Sequence, residues 1–264
     1  QLTVRIGPGE TVTVPMTMAA ATDREGAREL VQRYRAADLE ATLAQVRETW
    51  RERLGKVTVR TPDRAFDLMM NGWLLYQTLA CRLFARSGYY QTSGAYGFRD
   101  QLQDSMATLL VDPAPAREHL LRAASRQFVE GDVQHWWLPA TGAGVRTRIS
   151  DDVVWLVHAT AHYLRVTDDT SVLDEQVPFL IGPTLEDDQH ENFFTPERSR
   201  RTASLQDHVI LALQRAFTAG VHGLPLMGGG DWNDGMNRVG ERGKGESVWL
   251  GWFLHKTISD IMPT

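Results

Sequence analysis

The hydrophobic positions change period along the chain. Between residues 2 and 16 they alternate: Leu2, Val4 and Ile6, then the turn Gly7-Pro8-Gly9-Glu10, then Val12, Val14 and Met16. Period two predicts two strands around a Gly-Pro turn. A lone hairpin is marginal in water, so these strands are expected to be the last piece of a larger sheet. From Thr22 the period becomes helical. Leu30, Val31, Tyr34, Leu39, Leu43, Val46, Trp50 and Leu54 lie near helical spacing, Thr22 and Glu25 offer a capping box, and Gly55 closes the run. One long charged helix is expected here, joining a β-domain to the rest of the chain. Beyond Asp63 the pattern is helical almost throughout. Spacing predicts helices over 64–85, 101–111, 113–129, 151–165, 170–180, 205–219 and 246–262, with Ser204 and Asp207 opening the sixth. The polar stretch 182–204 predicts a surface loop. Helical hairpins joined by loops that hold the unusual residues predict a mainly α fold, an α/α barrel or another helical array. No fixed-period repeat is present.

Composition narrows the function. The 264 residues are 42% hydrophobic and 23% charged, which suits a soluble globular protein with a real core. A net charge of −5 supplies no basic field for nucleic acid or an anionic membrane. The chain shows neither a signal peptide nor an apolar stretch of membrane-spanning length. A cytoplasmic setting is therefore expected, with any membrane anchor confined to regions outside this chain. Cys81 is the sole cysteine, so no intrachain disulfide can form, and within "WLLYQTLACRLF" it reads as a small buried residue. Eight tryptophans invite a ligand with flat apolar faces, such as a sugar, unless most of them pack the core.

The candidate chemistry sits in four clusters. In "MGGGDWNDGMNRVG", residues 227–240, Gly228, Gly229, Gly230 and Gly235 rule out an ordinary helix. An EF-hand starting at Asp231 fails, because Met236 stands where glycine is needed and Arg242 where glutamate is needed. A Walker A loop in "GERGKGES" fails too, because Gly245 replaces the magnesium-binding Ser or Thr. No metal site is expected. What remains is a loop presenting an indole and carboxylates to a ligand, or a turn whose aspartates cap backbone. In "FRDQLQD", a helix starting near Asp100 would put Asp100 and Asp104 on one face. Carboxylates there can accept hydrogen bonds from sugar hydroxyls. The alternative is a surface ion-pair network centred on Arg99. In "EGDVQHWWLP", His135 and Trp136 offer hydrogen bonds and a stacking face, against the alternative of a core tryptophan and a satisfied helix-end histidine. In "SDDVVWL", Ser150 or Asp151 reads as a helix cap.

Taken together, "SGAYGFRDQLQD", "FVEGDVQHWW", "RISDDVVWL" and "GGGDWNDGMNRVGERGKGESVWL" resemble family 94 of the glycoside hydrolases, which includes cellobiose and chitobiose phosphorylases. The wording is like that of the phosphorylase-like domain of cyclic β-1,2-glucan synthases, over residues 20–264. The resemblance implies a β-sandwich, a helical linker and an (α/α)6 barrel. Residues 1–20 would then be the C-terminal hairpin of the sandwich, 21–61 the linker, and 62–264 the N-terminal part of the catalytic barrel. It also implies inverting phosphorolysis of β-glucosidic bonds, here β-1,2-glucan, with Asp234 as general acid. Trp232 lines the subsite of the transferred sugar, and Arg99 and Asp104 bind its hydroxyls, with Asp100 beside them. Asp231, His135 and Trp136 are further candidates for substrate contact, and Arg86 for phosphate. No cofactor is implied. The partners are a β-glucan oligosaccharide and phosphate, or glucose 1-phosphate.

An inverting hydrolase needs two carboxylates, about 6.5–9.5 Å apart. Phosphate is already an anion, so a phosphorylase needs only the acid. That acid must hold its proton until the leaving oxygen takes it, which calls for burial or neighbouring negative charge, from Asp231 or from phosphate itself. The glycines are expected to let the backbone approach the substrate. Two departures stand out. A barrel of this type needs about twelve helices and the pattern predicts about seven. The family's phosphate site also draws on His, Thr and Gly residues later in the chain than the acid. The sequence is therefore expected to be part of a larger barrel, completed by a missing half or by self-association. The alternatives are an inverting β-glucan hydrolase with Asp104 or Asp152 as base, and a non-catalytic carbohydrate-binding or structural half-domain.

Overall fold

The computed structural model describes residues 3–85 and 94–262. The chain divides into two units, Gln1–Arg53 and Leu54–Thr264. In the first, the Gly-Pro turn forms: the Glu10 amide donates to Gly7 O at 3.1 Å. The segments on either side form no strand among the described residues, so the expected hairpin is a turn without a ladder. Both arms are largely exposed, and two short arms without a buried face do not hold a ladder in water. The expected single helix is two, α1 (Arg24–Ala36) and α2 (Leu39–Leu54). Ala37 is extended, and Asp38 caps the second helix by accepting from the Glu40 and Ala41 amides. The cap of α1 is Asp23, which accepts from the Gly26 amide, one residue beyond the expected Thr22.

The second unit opens with the expected helical run, capped by Asp63: α3 (Arg64–Leu68), a π-helical stretch Met69–Trp73, α4 (Leu74–Tyr76) and a π-helical stretch Gln77–Phe84. Asn71 and Gly72 leave the helical conformation, Gly72 with φ 140°, and the run kinks there. Cys81 is half-buried rather than buried, with Sγ 3.4 Å from Gln77 Oε1. Then come β1 (Tyr96–Gly97), α5 (Phe98–Met106), α6 (Ala114–Ala124), β2 (Gln134–Trp137), β3 (Gly144–Thr147) and α7 (Asp152–Thr167). After a 3-10 turn at Thr170–Asp174 come β4 (Gln176–Ile181), β5 (Glu191–Phe194), β6 (Glu197–Ser204) and α8 (Leu205–Ala216). Another such turn, Asp234–Met236, leads to α9 (Asn237–Gly240) and α10 (Val248–Ile261).

The core is built around α7, which packs on α5, α6, α8 and α10. Its Val154, Leu156 and Val157 are fully buried, against Leu102 of α5, Leu120 of α6, Leu205 of α8 and Leu250 of α10 in one apolar cluster. A helix apolar nearly all round belongs at the centre. The capping box of Ser204 and Asp207 forms at the start of α8, as expected.

The sheets are the main departure from the helical expectation. Strands β1-β2-β3-β5 form an antiparallel sheet, and β4 pairs with β6. Residues 170–180, expected as a helix, form the 3-10 turn and most of β4. The run Val177-Pro178-Phe179-Leu180-Ile181 explains it: proline is excluded from a helix interior, and the other residues favour strands. The expected loop 182–204 carries β5 and β6. Its polarity reflects strands whose side chains mostly face solvent. The architecture is thus mainly α with two small antiparallel sheets among the described residues. Among the described residues no helix is long and apolar enough to cross a membrane.

Candidate active site

Three segments far apart in sequence meet at Arg99. It is the second residue of α5, directly after β1. Gly97 makes the sharp entry: a Cβ there would lie 2.2 Å from Asp100 Oδ2, so only glycine lets the Asp100 carboxyl fold back over the helix start. Asp100 gains from the dipole at that end. Arg99 is 7% exposed. Its Nη1 donates to Asp151 Oδ1 at 3.0 Å and to Asp231 O at 3.0 Å, and its Nη2 donates to Asp234 Oδ1 at 2.6 Å. The expected ion-pair network around Arg99 therefore exists but is buried, and Asp104 is not in it. Asp104 accepts instead from Arg82 Nε at 2.8 Å. Burial raises the Asp104 carboxyl above its ordinary range, against the pull of Arg82.

Asp151 occupies the N-cap position of α7, but its side chain caps nothing. Its second oxygen accepts from the Trp155 indole at 2.9 Å. Ser150 does not cap either, since its hydroxyl donates to Gly230 O. Burial, followed by the neighbouring Asp152, pushes the Asp151 carboxyl upward, while Arg99 and Trp155 pull it down. The geometry decides its form: two donors converge on the two oxygens, which suits a carboxylate and leaves a proton no place. Burial also opposes charge on Arg99, but Asp151, Asp152 and Asp234 outweigh it and hold the guanidinium charged.

Asp152 is 2% exposed, and its Oδ2 lies 2.8 Å from His135 Nδ1 on β2. Burial works against charge on His135, but Asp152 outweighs it, helped by Asp234, and moves the imidazole up to about 9. A raised histidine stabilises the fold in full below its ordinary value near 6.5 and loses that contribution as pH rises through about 9. At about 1.36 kcal/mol per unit the contribution is on the order of 3 kcal/mol. We expect thermal stability to decline between pH 7 and 10, and His135→Gln to flatten that decline. An NMR midpoint for His135 below 7 would refute the pairing.

The glycine loop is fixed backbone to backbone. Ile149 bridges to Gly228 and Gly230, the Gly229 amide donates to Arg148 O at 2.7 Å, and the Ser150 amide donates to Gly230 O at 2.9 Å. Gly228 has φ 62°, and a Cβ on it would lie 2.1 Å from Arg148 O. These glycines let one chain segment lie closely on another. Asp231 is held within the scaffold. It is 6% exposed, with Oδ1 accepting from the Asn233 amide at 2.9 Å and Oδ2 from the Ser247 hydroxyl at 2.6 Å. Ser247 in turn caps α10 through the Leu250 amide. Oδ1 thus braces the loop itself and Oδ2 ties it to the start of α10. Trp232 and Asp234 face outward, each 55% exposed. His135 and Trp136 sit half-buried on β2 rather than at a helix end, while Trp137 is fully buried core. Arg86 lies outside the described residues.

Sequence reasoning missed the partners that hold this site: Asp151, Trp155 and Ser247, with Asp152 weighed only as a base. One signal was present, since Ser150-Asp151-Asp152 supplies more oxygens than one helix cap needs. A cleft of about 500 Å³ shares Ser150, Asp152 and Gly228 with this region but takes in none of Arg99, Trp232 and Asp234. Its lining includes no Phe, Tyr or Trp. Among the described residues no cluster of three or more His, Cys, Asp or Glu is placed to hold a metal ion.

An open carboxyl two residues from an open indole, held by a cation that is itself locked on a buried carboxylate, presents charged and aromatic groups that suit the hydroxyls and faces of a sugar. The profile described as "Glycosyl hydrolase 94 superfamily, catalytic domain" matches residues 49–262. The chain belongs to glycosyl hydrolase family 94. It is 52% identical to the cyclic beta-(1,2)-glucan synthase NdvB of Rhizobium meliloti (strain 1021), over 99% of this chain and 9% of that protein. It is 30% identical to a 3-O-beta-D-glucopyranosyl-beta-D-glucuronide phosphorylase of Paenibacillus borealis, over 100% of this chain and 32% of that protein. A 1,2-beta-oligoglucan phosphorylase of Listeria innocua serovar 6a is 28% identical over 61% of this chain and 14% of its own length. The chain thus spans a third or less of each of these family 94 relatives.

Proposed function

We propose that this domain acts on β-1,2-linked glucan by inverting phosphorolysis, with Asp234 as the general acid. The observation that carries the reading is the Arg99 bridge, which joins the buried Asp151 to the open Asp234 beside Trp232. Two relatives support the substrate class by their names, one for cyclic β-(1,2)-glucan and one for 1,2-β-oligoglucan.

In this reading a phosphate oxygen bonds to the anomeric carbon as the glycosidic C–O bond breaks. The bond's electrons pass to the leaving oxygen, which takes the Asp234 proton, and α-glucose 1-phosphate is released. A sugar entering beside Trp232 offers hydroxyls to Arg99 and loosens its hold on Asp234. The incoming phosphate brings negative charge next to the carboxyl, which favours its protonated form. Asp231, His135 and Asp151 position these groups, Asp100 and Asp104 complete the contacts of the transferred sugar, and Trp136 meets the glucan farther along the chain. The hydrolytic alternative needs a carboxylate ready to deprotonate water. Its two candidates are engaged elsewhere, Asp104 on Arg82 and Asp152 on His135.

We likewise read residues 62–264 as part of an (α/α)6 barrel. The open apolar side chains Trp249 and Trp252 of α10 and Leu68, Met69 and Trp73 of the opening run support a structure that continues past these helices. The deciding assay is glucose 1-phosphate release from β-1,2-gluco-oligosaccharides with phosphate, against free glucose without it. Asp104→Asn is expected to weaken transition-state binding by about 1.5–3 kcal/mol, the range for charged hydrogen bonds, with the fold intact. Unchanged kcat/KM would leave Asp104 as a structural partner of Arg82.

A further inference from the structure

The four-stranded sheet has two unlike faces. The register aligns Tyr96, Trp137, Gly144 and Phe194 in one row, and Tyr96 and Trp137 of that row are core. The next row is Gly97, Trp136, Val145 and Phe193, on the opposite face. There the Trp136 and Phe193 rings lie 5.6 Å apart, tilted by 37°. Phe193 is 56% exposed. The next same-face pair is Thr147 and Glu191, so polar groups flank the two rings.

A β-bulge joins this platform to the site. The register slips between Gln134 and Trp136, which makes His135 the extra residue. An unbroken strand would alternate buried and open positions. Here two neighbours, His135 and Trp136, are both half-buried between the fully buried Gln134 and Trp137. The bulge therefore sets Trp136 directly beside the imidazole that Asp152 orients.

One open and one half-buried ring with a polar rim are too small a patch for a stable protein interface. They suit a sugar, whose C–H face packs on aromatic rings while its hydroxyls find polar partners such as Glu191 and His135. We propose that Trp136 and Phe193 form an accessory subsite that takes a ring of the glucan chain away from the bond cleaved at Asp234. The subsite rests on the β-glucan reading above and adds to it a preference for longer chains.

The test is calorimetry of the chain with β-1,2-gluco-oligosaccharides of two and of five units. Phe193→Ala is expected to weaken the pentasaccharide about five- to tenfold and leave the disaccharide unchanged. Phe193→Trp, which restores a ring, is expected to keep the parent affinity. An unchanged pentasaccharide affinity in Phe193→Ala overturns the subsite while the β-glucan reading stands. Equal weakening of both sugars also overturns it, because the ring then acts through the fold. If the parent chain binds neither sugar, the β-glucan reading falls and the subsite with it.

Discussion

Asp234→Asn is expected to lower phosphorolysis of β-1,2-gluco-oligosaccharides by about 10²- to 10⁴-fold, the range of general acid assistance. The amide matches the carboxyl in size and still makes hydrogen bonds, but it cannot deliver a proton to the leaving oxygen. A glucosyl fluoride needs little such help, so its turnover should fall far less. Sugar affinity should change little, because Trp232, Arg99 and Asp104 remain. Asp231→Asn separates the two aspartates of the loop. The Asp231 oxygens hold Ser247 and the Asn233 amide, so this change should loosen the loop and lower thermal stability, affecting both substrates alike. Equal losses on natural and activated substrates for Asp234→Asn would remove it as the acid.

The second large effect concerns stability. Arg99→Met should destabilise the fold by about 3–5 kcal/mol, the cost of stripping one partner from a buried ion pair. Asp151 is fully buried and would keep only the Trp155 indole, and the Asp231 carbonyl would lose its donor. For a unit of this size the melting temperature should fall by roughly 6–20 °C. Adding Asp151→Leu should recover part of that loss, because removing both charges leaves nothing buried unpaired. Activity should not return, since the hydroxyl contacts proposed for Arg99 would still be missing. A single Arg99→Met variant that melts within about 2 °C of the parent would show that the pair is not buried in solution.

The two predictions draw on information of different kinds. The proposal of Asp234 as acid was legible in the loop "GDWNDG", through the family resemblance it carries. Its exposure and its cation were not. The same division runs through the fold. The second-unit helices α7, α8 and α10 and the Ser204 capping box could be read because periodicity and caps lie within a few residues of one another. Strands β4, β5 and β6 could not, because a strand's stability comes from partners elsewhere, and β6 shows no apolar alternation of its own.

The sequence by itself determined most of the second unit's long helices, the family and the residue types brought to the site. Only the tertiary structure decided how they pair. Arg99 meets Asp151 across 52 residues and Asp234 across 135, and no local pattern records a partner at that distance. It also decided that Asp231, next to Trp232 and three residues from Asp234, is anchored to the scaffold, because the start of α10 brings Ser247 within 2.6 Å of it. Burial supplies the physical reason. A carboxylate removed from water must find donors, and which donors reach it depends on the elements that fold around it.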